Sequence, residues 1–258
     1  MWDGTSRTTA APQSSFMVDF FRTITDVFAI LENDPCVMNN PPFVMDESKL
    51  ALQVFTPAFD ANTTKRPVMV FIHGGAWQFG SAEMVYGQAL AAHGDVVVVC
   101  ISYRLSVLGF LFGNWGLFDQ IEALKWVQAN IGDYCGDKNN VTILGESAGS
   151  WSVESQLVSD KSTGLFHQAI CQSGCLKTNA FRHGNQWTNK VAHSKLMELT
   201  ETTSLDQLKT TLLNKTTAEL IELMDQLTKM QINVEATFDN DFFTGETIIL
   251  GSLINFNS

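Results

Sequence analysis

The segment that most constrains this chain is Val141-Thr142-Ile143-Leu144, which runs directly into Gly145-Glu146-Ser147-Ala148-Gly149. An apolar run of strand length, a tight turn of small residues and a helix-like stretch toward Val158 form one strand–turn–helix unit. Such units build parallel α/β sheets, in which covering helices carry the chain back between strands. The same alternation recurs along the chain. Leu50, Leu52 and Val54 alternate before a stop at Thr56-Pro57, and Val68–Ile72 and Val96–Ile101 are continuous apolar runs. Runs of that kind suit strands covered on both faces. A helix is predicted over 81–94, and another where Ile121, Leu124, Val127 and Ile131 share a face. His167–Gln172 and Thr247–Leu250 have strand character. Between 185 and 230 the pattern turns helical, with Ser204–Gln207 and Thr216–Glu219 at capping-box spacing.

The G-x-S-x-G in this setting is a nucleophile-elbow pattern. Its serine sits in a strained turn, and small neighbours let Oγ project above the sheet. The plainer alternative is a Gly/Ser turn without chemistry. A second signal, His73-Gly74-Gly75-Ala76-Trp77, closes the Val68–Ile72 strand. Acyl transfer through a serine builds a tetrahedral oxyanion, which needs backbone N–H groups aimed at it in advance. A glycine-rich loop after an early strand supplies one or two such donors, and the residue after the nucleophile, Ala148, supplies another. The alternative for this loop is a tight turn beside a core histidine.

Composition narrows the classes further. The 258 residues carry 16 Lys+Arg against 27 Asp+Glu, a net charge of −11 with no basic run. That balance argues against nucleic acid and anionic membrane surfaces as partners. Phe is abundant at 18 residues and only 17% of residues are charged, so the chain has material for a large interior and is not disordered. No apolar run is long enough to span a bilayer. Met1–Thr5 lack a leader pattern, and the 5 cysteines show no metal-ligand spacing. No cofactor or metal is expected, and a cytoplasmic, reducing compartment is favoured. The sequons Asn62-Thr63-Thr64 and Asn214-Lys215-Thr216 are chance triplets on this reading.

Several motifs together resemble the type-B carboxylesterases, the cholinesterase-like α/β-hydrolases. They are Glu146–Gly149, His73-Gly74-Gly75, Ser102-Tyr103-Arg104, Gly113–Gln120 and Gln172-Ser173-Gly174, with Trp2-Asp3-Gly4, Leu52–Pro57 and Asp239–Phe242 in the same order. The resemblance implies an α/β-hydrolase fold with a mostly parallel central sheet and flanking helices. It implies a serine esterase with Ser147 as nucleophile, a small-molecule carboxylic ester as substrate, and the amides of Gly75, Ala76 and Ala148 as oxyanion hole. The family usually has a third glycine where Ala76 stands, and a methyl there keeps the N–H. One partial domain is expected over 1–258, with N-terminal strands and loop over 1–45, the core sheet over 46–180, and a helical layer with the start of later core over 181–258.

Departures from the family pattern set further expectations. Only His167, His183 and His193 follow Ser147, and none stands in the context of a catalytic histidine. Glu154 and Asp160 are poor acid candidates, and the family's acid position falls near Asn255–Ser258, which holds no carboxylate. The chain is therefore expected to be cut short at both ends relative to the family. Lys49 and Ser14 or Ser15 stand where family disulfide cysteines are expected. Phe43 is the one aromatic between Cys36 and Lys49, which disfavours a choline ester. Arg104 is expected to pair with Glu146 or Asp119. The rival readings are a catalytically inactive fragment, a non-enzymatic adhesion-type relative, and a lipase or thioesterase sharing the same chemistry. Oligomeric state stays open.

Overall fold

The computed structural model describes residues 9–10, 44–45, 50–57, 65–174, 185–239 and 241–243. Two short strands, β1 (Thr9–Ala10) and β2 (Val44–Met45), pair in parallel. The main sheet contains β3 (Leu52–Phe55), β4 (Arg66–Ile72), β5 (Val97–Ile101), β6 (Gly136–Glu146) and β7 (Gln168–Gln172), in the spatial order β3-β5-β4-β6-β7. β3 runs antiparallel to β5, and every other pairing is parallel. The helices are α1 (Gly87–Gly94), α2 (Ser106–Phe110), α3 (Trp115–Asn130), α4 (Ala148–Val158), α5 (Asn185–Leu199), α6 (Leu205–Leu213) and α7 (Thr217–Lys229).

The burial of the strands follows from their sequences. The unbroken run Val97-Val98-Val99-Cys100-Ile101 is buried at every position, because β5 lies inside the sheet with helices over both faces. Val68, Val70 and Ile72 of β4 turn one face into the main core beside Ile143 of β6. The other face carries a smaller cluster of Ala82, Ala91, Val98 and Cys100, capped by Phe55 and Phe71. Leu117, Ile121, Leu124 and Val127 are the buried stripe of α3, and Ile131 extends it into a short 3-10 turn. Each such apolar side chain contributes roughly 1.5–3 kcal/mol on burial, so this stripe and the facing strands fix α3 on the sheet.

Two local expectations are refined. The stretch 81–94 is not one helix: Ser81 caps a short 3-10 turn at Ala82–Met84, and α1 begins only at Gly87. Of the two capping-box spacings, only Thr216/Glu219 closes reciprocally. Ser204 accepts from the Gln207 amide, but the Gln207 side chain accepts from Thr203 instead of returning to Ser204. Thr247–Leu250, Trp2–Gly4, Lys49 and Asn255–Ser258 lie outside the described residues.

Between α7 and Phe243 the described residues take no regular structure, yet their backbone is clasped. Asn189 Nδ2 donates to Glu235 O at 2.9 Å while the Glu235 amide donates to Asn189 Oδ1 at 3.0 Å. Asn114 treats Thr237 the same way, at 2.6 and 3.0 Å. Two asparagine amides thus satisfy a buried backbone as a neighbouring strand would. The last described residues, Phe242 and Phe243, are both fully buried.

Candidate active site

Ser147 sits on the turn between β6 and α4 at φ 56°, ψ −121°, a conformation that costs a non-glycine residue of order 1–3 kcal/mol. The surroundings enforce it. The Ser147 amide donates to Gln172 O at 2.9 Å at the end of β7, and Ser147 O accepts from the Trp151 amide at 3.1 Å. Ser150 Oγ donates to Gly174 O at 3.0 Å, tying the same helix turn to the chain after β7. Gly149 is required by close approach, since a Cβ there would fall 2.2 Å from Ile72 O. Small residues bring α4 down onto the ends of β4 and β6, and the Ser147 side chain is left half-buried and accessible.

The serines of α4 do not disturb that packing. Ser152 Oγ donates to Ala148 O at 2.9 Å and accepts from Trp77 Nε1 and Gln120 Nε2, so a buried hydroxyl is fully used. Through Trp77, which is 0% exposed, the loop after β4 is anchored into α4.

That loop lies directly beside the elbow. A Cβ placed on Gly74 would stand 3.4 Å from Ser147 Cβ. Gly75 has φ +102° and would drive a side chain into Phe79 O, so glycine is required there. Ala76 and Trp77 follow at φ 54° and 57°. Every carbonyl from 73 to 77 is taken: His73 O by Tyr103 Oη–H, Gly74 O by His73 Nδ1–H, Gly75 O by the amides of Gln78 and Phe79, Ala76 O by Gln78 Nε2–H, and Trp77 O by the Ser106 amide. Among the described residues, no acceptor takes the amides of Gly75, Ala76 or Ala148. Ala148 opens α4, where a helix has unsatisfied N–H groups in any case. Acceptors are consumed within the loop and donors are left over beside Ser147, which suits a developing negative charge.

His73 is buried and neutral. Desolvation pushes its pKa down to about 4, opposed by the bond to Gly74 O, and its Nε2 has no partner among the described residues. Arg104 pairs with Asp119, one of its two expected partners. Nε and Nη2 reach the two carboxylate oxygens at 2.7 Å each, and the Arg104 amide adds a third bond at 2.9 Å.

The remaining candidates are not gathered at Ser147. His167 Nδ1 accepts from the Val141 amide, about 16 Å down β6 from the elbow at ~3.3 Å per residue. His193 Nε2 is bonded to Leu111 O and is shifted down by burial. Glu154 is buried within α4, and Asp160 lies in the 3-10 turn after it. His183 lies outside the described residues. Among the described residues no His/Cys/Asp/Glu group could hold a metal ion, and no helix is long and apolar enough to cross a membrane. Sequence reasoning missed the Tyr103 hydroxyl, Gln78, Asn114 and Asn189. The available signal was a polar side chain standing inside or beside an apolar run.

Comparison with known proteins identifies the family and the fold. The carboxylesterase family model matches residues 1–252. Acylcarnitine hydrolase of Rattus norvegicus is 45% identical over 179 residues, 67% of this chain and 30% of that protein. Cocaine esterase of Homo sapiens is 51% identical over 144 residues, 53% of this chain and 26% of that protein. A Geobacillus stearothermophilus carboxylesterase of known structure superposes with a TM-score of 0.70 at 34% identity, covering 80% of this chain and 44% of that one. The match thus spans about a third or less of these curated relatives and under half of the solved enzyme. The α/β-hydrolase architecture expected from the motifs is borne out. The strand–elbow–helix unit, the donor-rich loop and the family match converge: the chain belongs to the carboxylesterase family.

Proposed function

We propose that this chain acts on a small-molecule carboxylic ester through an acyl-enzyme on Ser147. Ser147 Oγ attacks the ester carbonyl carbon, the C–O bond to the alcohol breaks, and the alcohol leaves with a proton. Water then attacks the acyl carbon, releasing the acid and restoring Ser147. The amides of Gly75, Ala76 and Ala148 hold the oxyanion in both steps. The observation that carries this reading is the loop in which every carbonyl from 73 to 77 is engaged while those donors face no acceptor beside a strained serine. The free thiols of Cys100 and Cys135 support a reducing compartment.

One observation favours a second reading, a non-catalytic family member: among the described residues no histidine hydrogen-bonds Ser147 and no general base stands at the nucleophile. Release of p-nitrophenol from short-chain p-nitrophenyl esters separates the two. The esterase reading requires p-nitrophenol release well above the rate of the Ser147→Ala chain. Hydrolysis no faster than with Ser147→Ala supports the non-catalytic reading.

A further inference from the structure

Two of the bonds that occupy the carbonyls of the loop after β4 come from side chains with no part in bond making or breaking. Tyr103 Oη–H donates to His73 O at 2.7 Å, and His73 Nδ1–H donates to Gly74 O at 2.8 Å. A carbonyl can only accept, so Nδ1 carries the proton and the imidazole is held in one tautomer. The two rings also stack on each other, with centroids 4.4 Å apart and planes 16° apart. Gly80 closes the other side: a Cβ there would fall 2.3 Å from His73 Nδ1, so the imidazole has little room to turn.

A trans peptide unit is planar, and its N–H points opposite to its C=O. Holding His73 O therefore aims the Gly74 amide, and holding Gly74 O aims the Gly75 amide. Gly75 O, taken by the amides of Gln78 and Phe79, aims the Ala76 amide in turn. Three consecutive peptide planes are set through their carbonyls, and the first two depend on one imidazole and one phenol.

We propose that His73 and Tyr103 are positioning residues that set the direction of the Gly74 and Gly75 amides, and so preorganise the oxyanion-binding loop before substrate arrives. The catalytic consequence rests on the esterase reading above, and the structural consequence does not. Burial supports the assignment. His73 is 3% exposed and Tyr103 0%, and His73 keeps Nε2 buried without a partner among the described residues. An unpaired buried nitrogen is costly, and an apolar side chain of similar volume would avoid that cost. What the imidazole adds is the Nδ1–H bond to Gly74 O. Its neutral form persists near neutral pH because burial resists protonation.

Two substitutions that keep an aromatic ring in the full chain test the proposal. Tyr103→Phe removes only the hydroxyl, and His73→Phe removes the imidazole nitrogens while putting a slightly larger six-membered ring in their place. In amide ¹H–¹⁵N spectra, Tyr103→Phe should displace the Gly74 resonance most and His73→Phe the Gly75 resonance, with β5 unmoved. Each should slow phosphonylation of Ser147 by a fluorophosphonate about tenfold, less than outright loss of an oxyanion donor costs. Unmoved Gly74 and Gly75 amides would overturn the proposal, as would moved amides with an unchanged phosphonylation rate. If wild-type Ser147 takes no probe while the amides move as expected, the positioning role stands and the esterase reading fails. The wild-type imidazole ¹⁵N spectrum needs no variant to fold. It should show Nδ1 protonated and Nε2 bare, and the opposite tautomer would refute the assignment.

Discussion

Replacing Gly149 by alanine is the sharpest perturbation the elbow offers, because helix propensity and packing point in opposite directions. Inside a helix, alanine is favoured over glycine by up to about 1 kcal/mol. At this position the added Cβ would fall 2.2 Å from Ile72 O and 3.0 Å from His73 C and O, where ordinary contact begins at 3.4 Å. All of these atoms are backbone, so no side chain can swing aside. Relief requires α4 to move off the end of β4 by about 1 Å, and overpacking of that kind typically costs 1–3 kcal/mol or more. We expect Gly149→Ala to lose roughly 2–4 kcal/mol, or about 5–15 °C in Tm for a chain of this size.

Thermal and urea denaturation followed by circular dichroism measure that loss, with two other glycines as references. Gly132 has nothing within 4 Å of a built Cβ and no positive φ, so Gly132→Ala should stay within about 0.5 kcal/mol of wild type. Gly164 is equally open but has φ +78°, and Gly164→Ala should cost roughly 1 kcal/mol through backbone strain alone. A Gly149→Ala chain as stable as wild type, or more stable, would refute the close approach of α4 to β4.

Three further outcomes follow from the same geometry. Arg104→Leu leaves the Asp119 carboxylate, 8% exposed, with a single backbone donor. Arg104 is itself 39% exposed, so the loss should be about 2 kcal/mol by urea titration, below that of a fully buried pair. Arg104→Lys should recover less than half, because an ammonium cannot grip both carboxylate oxygens; full recovery would contradict the two-pronged contact. The folded-state pKa of His73, about 4 against 6.5, means the unfolded chain takes up the proton first. Its contribution is therefore complete above pH ~6.5 and lost as pH falls toward 4, a difference of about 3 kcal/mol. His73→Phe should lose correspondingly less stability than wild type between pH 7 and 4.5, and an equal loss would contradict the buried neutral ring. Finally, Asn189→Ala should raise hydrogen exchange at the Glu235 amide, whose acceptor it removes. Unchanged protection would show that the clasp does not hold that segment.

Much of the site was legible because its chemistry depends on local spacing. A strand run followed by Gly145–Gly149 can close only as a sharp turn, and the His73–Trp77 loop carries its glycines where positive φ and close approach demand them. The Arg104 pairing was narrowed to Glu146 or Asp119, and the fold selects Asp119. What stayed hidden depends on contacts between distant residues. The break between Ala82–Met84 and α1 arises where Gly87 packs against the Phe55 ring and Val98, and neither neighbour is near in sequence. The 232–243 segment has no period because its backbone partners are side chains from α5 and the turn before α3. Tyr103 stands inside the Ser102-Tyr103-Arg104 motif, yet nothing in the sequence shows that its hydroxyl reaches back to His73 O.

The most direct test is to treat the purified chain with a fluorophosphonate and locate the adduct by mass spectrometry. A competent elbow and oxyanion hole should give one adduct per chain, on the peptide carrying Ser147, absent after heat denaturation and absent in Ser147→Ala. No adduct on the folded chain, or the same labelling after denaturation, would contradict the claim that this fold presents Ser147 as a nucleophile.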